Sequence, residues 1–327
     1  MKMNLILVLS ILTTLLMAAC SAAPQENAAA PIRLPVGYIP NVQFAPLYVA
    51  IENGYYADEG LQVEMDYNME TDSVALLGAG ELEFAIVSGE QVLLGRAQGL
   101  PVVYVMAWYQ DFPVGVTAME TAQVNEPRDL AGKRVGIPGL YGASYIGFKA
   151  LLNAGGLQES DLTLDAIGYT QVESLINDVD DAVVVYISNE PVKLESEGYS
   201  VTTLAVSDYT SLVANGLLTS EQVIKEDPDR VSAMVRATLK GIQYTIDNPD
   251  QAFSISEKYV ENLASLSPEE KAVQRQVLAA SIPLWQAQVL GYSEPESWEN
   301  MQDLLLQMKL LSEPQDLESA YSNAFLP

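Results

Sequence analysis

The residues best suited to do chemistry fall just after apolar, strand-like runs. Tyr38, Asn41, Gln43 and Phe44 follow the first run, Ser88, Glu90 and Gln91 the third, and Trp108, Tyr109, Gln110 and Asp111 the fourth. Further along, Tyr141 and Ser144 stand at a helix start after Pro138, and the run 182–185 leads into Tyr186, Asn189 and Glu190. Each group sets an aromatic ring beside an amide, hydroxyl or carboxylate. Rings stack on flat faces while neighbouring heads bond a polar edge, so a cleft lined by these groups suits a flat heteroaromatic ligand. Any single ring also reads as an ordinary tyrosine half-buried at a sheet rim; the set as a whole points to a ligand.

Other chemistries lack their residues. The chain has no histidine, which removes the commonest general base and metal ligand, so a His-based triad or zinc site is excluded. There is no Gly-x-Ser-x-Gly elbow and no thiol beyond Cys20, so nucleophilic catalysis is unsupported and no metal or cofactor is implied. Carboxylate pairs such as Asp58-Glu59, Asp180-Asp181 and Glu269-Glu270 read as solvated surface in a chain with 43 acidic and 16 basic residues. Gly136-Ile137-Pro138-Gly139 lacks the Lys-Ser/Thr of a phosphate loop. Between Arg33 and Arg128 the only basic residue is Arg96, and between Lys149 and Lys225 only Lys193. Helix-start amides near Tyr141 could hold an anion, but sulfonate, phosphate or nitrate sites usually add Arg or Lys. A neutral or mildly cationic ring fits these loops better.

Strand-like and helix-like segments alternate in a way that places these loops at strand ends. A buried strand enters the loop Asn41-Val42-Gln43, a helix follows to Asn53-Gly54, and a second strand begins near Leu61. Such a βαβ opening leaves its loop at the carboxyl end of a strand, where open α/β sheets place ligands. Strands are expected over 61–67, 82–87 and 102–107, with helices over 71–79 and 90–98; the almost wholly apolar run 102–107 suits a sheet covered on both faces. A second unit has strands at 114–118, 133–137, 162–168, 182–187 and 200–206, with helices at 141–154, 171–177 and 190–197. From Thr219 the chain reads as mainly helical. Asp227-Pro228 supplies an N-cap with proline at the first helical position, followed by helices near 250–259, 268–280 and 296–309. A helical tail after two α/β units is expected to pack back on the first, with crossovers near residues 110 and 210.

The chain has 327 residues, 49% hydrophobic and 18% charged, enough for two domains with a sizeable core. A formal net charge of −27 repels phosphate backbones and anionic lipid, so nucleic acid is an improbable partner. Residues 1–19 read as a signal peptide: Lys2, an apolar run over 5–17, then small residues. Met17-Ala18-Ala19-Cys20 resembles a bacterial lipobox, in which Cys20 carries lipid and becomes the new N-terminus. The stretch 20–31, SAAPQENAAAP after the cysteine, suits a flexible tether. The expected product is an extracytoplasmic monomer held at the cell membrane by its lipid.

Several motifs together carry a family resemblance. Val36-Gly-Tyr-Ile-Pro-Asn41, Gly54-Tyr-Tyr-Ala-Asp-Glu-Gly-Leu-Gln-Val63, Phe84-Ala-Ile-Val-Ser88, Asp129-Leu-Ala-Gly-Lys-Arg-Val-Gly136 and Asp181-Ala-Val…Asn189-Glu190 resemble the substrate-binding proteins of ABC importers. The group is the thiamine-pyrimidine, sulfonate, nitrate and taurine-binding family, and the resemblance covers most of 32–260. It implies an α/β, two-lobed type II periplasmic-binding-protein fold with the ligand cleft between lobes. One lobe is expected to be formed by 32–112 plus 208–327 and the other by 113–207. It also implies hinge closure on ligand and docking on an ABC permease with its ATPase subunits. Pyrimidine-synthase enzymes of the group carry a cysteine-rich motif and histidines that are missing here. Formylaminopyrimidine-binding importers are matched by Tyr186…Glu190 and Asn41, and the riboflavin-binding branch resembles the chain more closely still. The resemblance implies riboflavin as ligand, with a thiamine-precursor pyrimidine as the alternative and a sulfonate behind both. Asn41, Ser88, Asn189 and Glu190 would then bond the ring's polar edge, with Trp108, Tyr141 and Tyr186 stacking on its faces. An enzyme using Glu190 as general base, or a ligand-free sensor lipoprotein, are the other classes.

Overall fold

A computed structural model describes residues 31–37 and 39–327. The expected signal peptide, nearly all of the tether, Cys20 and the candidate Tyr38 lie outside the described residues.

The chain opens as β1 (Ile32–Pro35), which pairs in parallel with β2 (Val63–Asp66). The strand therefore ends before Val36, and the described residues 36–37 and 39–41 lie in the loop. Asn41 closes that loop by capping a short turn, Val42–Phe44, its Oδ1 accepting from the Gln43 backbone N–H at 3.0 Å. The turn runs into α1 (Ala45–Glu52), which has proline in its first turn and is buried from Ala45 to Ala50. Asn53 and a left-handed Gly54, φ 73°, stop it. Then come α2 (Glu70–Gly78), β3 (Ala85–Val87), α3 (Gly89–Ala97) and β4 (Val102–Ala107). All six residues of β4 are buried, as its unbroken apolar run requires.

After the crossover at 108–113 the chain builds β5 (Val114–Met119), β6 (Arg134–Ile137), α4 (Gly142–Gly155), β7 (Thr163–Ala166), α5 (Gln171–Ile176), β8 (Ala182–Tyr186), α6 (Glu190–Ser196) and β9 (Val201–Ala205). These strands form one sheet of order β7-β6-β8-β5-β9. β6 runs parallel to β7 and β8, whereas β5 is antiparallel to β8 and β9.

The return to the first lobe holds an element the sequence reading missed. β10 (Gly216–Ser220) lies antiparallel between β3 and β4 and completes the sheet β3-β10-β4. It begins before the stretch read as helical and runs straight into helix, so no turn residue marks its end. A side chain could not stand at Gly216: a Cβ there would lie 2.1 Å from the Tyr104 hydroxyl and 2.3 Å from the Met106 carbonyl.

The tail packs on the first lobe through α7 (Pro228–Asp247), which Asp227 caps by accepting from the Arg230 N–H. Its buried face includes Val231, Val235, Leu239 and Ile242, the 3.6-residue stripe expected of it. Gly241 lets α7 press against α1, because a Cβ there would meet the Pro46 carbonyl oxygen at 2.3 Å and the Ala50 Cβ at 2.9 Å. After α8 (Pro249–Ser256), the helices α9 (Pro268–Ser281) and α10 (Pro295–Gln307) also reach the second lobe, α9 touching α6 and α10 touching α4. Packing on the first lobe alone is thus an incomplete description of the tail. Among the described residues no helix is long and apolar enough to cross a membrane.

Candidate functional site

A cleft opens between loops of the five-stranded sheet and loops of the two first-lobe sheets, with about 1140 Å³ of empty space when its open mouth is included. Its first-lobe wall comes from Gly37, Gln43, Phe44 and Glu70, and its second-lobe wall from Tyr141, Tyr169, Tyr186, Asn189 and Glu190. Trp108, Tyr109 and Asn215 form its base from the two crossovers.

The loops after β1 and β8 meet. Gln43 is buried, and its Nε2 donates to the Ser188 hydroxyl at 2.9 Å. The crossovers are laced together at Asn215, whose backbone carbonyl accepts from both the Trp108 and Tyr109 N–H groups at 3.0 Å. Its side chain faces both lobes, the amide nitrogen donating to Glu70 Oε1 at 3.1 Å and Oδ1 accepting from the Tyr186 hydroxyl at 3.3 Å. Gly37, at φ 73°, lets the loop after β1 pass over Glu70, whose Cγ would lie 2.5 Å from any Cβ there.

Glu190 opens α6 and is nearly buried. Asn189 Nδ2 donates to its Oε1 at 2.9 Å and the Tyr186 N–H to its Oε2 at 3.1 Å. Burial pushes its carboxyl up from the ordinary range, opposed by Lys193 and these hydrogen bonds. In the first lobe, burial likewise raises Glu70, to about 7, and Glu90. No Lys or Arg lines the cleft among the described residues. Two lining residues keep buried polar atoms without a protein partner: Trp108 Nε1, a donor, and Asn189 Oδ1, an acceptor. Buried polar atoms are rarely left so. The rings add apolar surface: Phe44 and Trp108 lie 5.7 Å apart between centroids, while Tyr141 and Tyr169, each 59% exposed, stand at the mouth.

Of the residues singled out from sequence, Gln43, Trp108, Tyr141, Tyr186, Asn189 and Glu190 come together on the cleft. Three take other places. Asn41 is occupied as a cap and lies outside the lining. Ser88 and Glu90 are fully buried behind the wall, where Ser88 bridges Glu90 to Glu70. The reading missed Glu70, Tyr169, Ser188 and Asn215. Glu70 looks like any first-turn acid of a helix, and nothing in a single sequence marks Asn215 as the junction of two crossovers.

The paired crossovers and the cleft between the sheets they join define the class: a two-lobed α/β protein of the periplasmic-binding fold. Solved structures agree, among them the alkanesulfonate-binding protein SsuA from Xanthomonas axonopodis. That match has a TM-score of 0.68 at 16% identity and covers 90% of this chain and 99% of that one. The family described as NMT1/THI5 like matches residues 41–252, and the chain belongs to it. Riboflavin-binding protein RibY of Chloroflexus aurantiacus is 40% identical, covering 98% of this chain and 97% of the relative. A formylaminopyrimidine-binding protein of Halalkalibacterium halodurans is 28% identical over 96% of each. A 4-amino-5-hydroxymethyl-2-methylpyrimidine phosphate synthase of Legionella pneumophila is 22% identical, covering 90% of this chain.

Proposed function

We propose that this protein is the extracytoplasmic binding component of an ABC importer, that its ligand is riboflavin, and that it performs no catalysis. The carrying observation is the cleft's polar inventory: an unpartnered buried donor and acceptor, carboxylates, aromatic faces and no cation. A flavin presents ring carbonyls to a donor such as Trp108 Nε1 and a ring N–H to an acceptor such as Asn189 Oδ1 or Glu190. Its flat face suits Tyr186, Tyr141 and Trp108. The similarity to a riboflavin-binding relative supports the choice among ring ligands. In this reading the lobes are 32–112 plus 208–327 and 113–207, Cys20 carries the lipid anchor, and a permease with its ATPase receives the ligand. The protein works as a monomer.

A thiamine-precursor pyrimidine is the second reading, favoured by the carboxylates, which would accept from exocyclic amino groups. A sulfonate is disfavoured by the absence of Lys and Arg from the lining.

The test is equilibrium titration of the purified mature protein with riboflavin, following quenching of flavin fluorescence. Saturable quenching, with unchanged flavin recovered on denaturation, is the expected result. Binding of an aminopyrimidine with no effect on flavin fluorescence would transfer the assignment to the second reading.

A further inference from the structure

Behind the first-lobe wall, Ser88 stands between two buried carboxyls. Its hydroxyl oxygen lies 2.5 Å from Glu70 Oε2 and 2.6 Å from Glu90 Oε1. A serine hydroxyl has one proton and can donate to only one of them. If both glutamates were ionised, the other contact would set lone pairs against lone pairs at hydrogen-bond distance. A second proton, carried by one carboxyl and donated to Ser88 Oγ, satisfies both contacts.

Glu70 accepts from the Ser88 N–H at 3.1 Å and from Asn215 Nδ2 at 3.1 Å. Besides Ser88 Oγ, Glu90 has Gln91 Nε2 at 3.2 Å and its own backbone N–H as donors, and among the described residues its Oε2 has no partner. Both α2 and α3 turn their N-termini toward the cluster, which favours negative charge there. Among the described residues, the titratable groups nearby are the Tyr169 hydroxyl and, on the opposite wall, Glu190, and no cation lines the cleft beside the cluster. The Ser88 N–H and Asn215 contacts, both shorter than the Gln91 contact and both from outside the residue, favour the charge on Glu70 and the proton on Glu90. Glu70 Oε1, with one partner among the described residues, keeps a lone pair for a ligand.

We propose that Glu70, Ser88 and Glu90 hold one shared proton, and that Glu70 is thereby the specificity-determining acceptor of the first-lobe wall, selecting a ligand edge that presents an N–H. This rests on the cleft assignment above, but the proton can be tested without a ligand. Burial raises both carboxyls, in the direction the shared proton requires, and the pair titrates as a unit.

The infrared difference spectrum between ligand-free wild type and E90Q at about pH 7 is expected to show one protonated-carboxyl carbonyl band that E90Q removes, any band of Glu190 being common to both and cancelling. A wild-type spectrum without that band, or with the same band in E90Q, overturns the shared proton. For the specificity, riboflavin and an N3-alkylated flavin that cannot donate at that position are titrated into wild type and E70Q. Wild type should favour riboflavin, and E70Q should lower that preference about tenfold, the gap between a charge-assisted and a neutral bond. Full discrimination retained by E70Q would remove Glu70 from the role. If wild type binds neither flavin, the ligand assignment fails, and the proton is decided by the infrared band alone.

Discussion

Gln43 and Ser188 are 145 residues apart in the chain, yet the Gln43 amide nitrogen donates to the Ser188 hydroxyl at 2.9 Å in a buried contact between the lobes. One residue belongs to the turn entering α1, the other to the loop after β8. The two loops that carry the first and last candidate residues therefore face each other across a polar contact. A polar contact of this kind can be exchanged for ligand or water when the lobes open.

Gln43→Ala removes the donor and leaves the buried Ser188 hydroxyl unsatisfied. A net hydrogen bond contributes about 0.5–1.5 kcal/mol, and an orphaned partner raises the cost. Riboflavin affinity is expected to fall about tenfold, with the loss in dissociation rate rather than association rate, since the contact acts after the lobes meet. Stopped-flow fluorescence separates the two rates. An unchanged dissociation rate would mean that the contact takes no part in holding the closed form.

Glu190 predicts a pH dependence of stability. Its folded carboxyl is held above the ordinary value of 4.5, chiefly by burial, so the native state binds the proton more tightly than the unfolded chain. That contribution is fully present below 4.5 and is lost as pH rises through the raised value. Glu190→Gln removes the titration, so its Tm should decline less than that of wild type on the alkaline side. The shared proton at Glu70 and Glu90 adds a contribution of the same sign, so the E190Q curve should keep part of its slope. Superimposable Tm curves for wild type and E190Q would contradict the raised carboxyl.

Gly241→Val tests the seam between α7 and α1. The added Cβ would stand 2.3 Å from a backbone oxygen of α1, which cannot swing aside as a side chain can. Overpacking costs about 1–3 kcal/mol, and the relief of glycine's helix penalty returns under about 1 kcal/mol. The clash wins, and Tm should drop by several degrees in differential scanning calorimetry. A Tm at or above that of wild type would show that the two helices have room between them.

The fold was legible where local pattern and environment agree. The apolar run 102–107 became β4 with unchanged limits, and Asp227-Pro228 became the start of α7 with its cap in place. β10 was not legible because it is defined by its partners: five residues whose role is to fill the gap between β3 and β4. The site divided in the same way. Tyr186, Asn189 and Glu190 follow one strand, so one local signal found all three. Asn41, Ser88 and Glu90 follow strands too, but Asn41 Oδ1 serves a cap, and Ser88 Oγ with Glu90 Oε1 forms a buried bridge behind the wall. Sequence shows that a polar residue stands at a strand end; only the structure shows whether its hydrogen bonds are already taken.

Trp108 separates ligand binding from stability most sharply. The residue is 2% exposed, lines the cleft, and its indole N–H has no partner among the described residues. Trp108→Phe keeps a ring against Phe44 and deletes the unpartnered donor. The smaller ring leaves a void worth about 1–2 kcal/mol, while removing an unsatisfied buried group returns about 1–3 kcal/mol. The two nearly cancel, so the ligand-free Tm should move by no more than a few degrees. Riboflavin affinity should nonetheless fall at least about tenfold, because the flavin loses a donor to one of its carbonyls as well as stacking area. Parallel calorimetry and fluorescence titration read both quantities. A variant with lowered Tm and intact affinity would make Trp108 a core residue that merely borders the cleft.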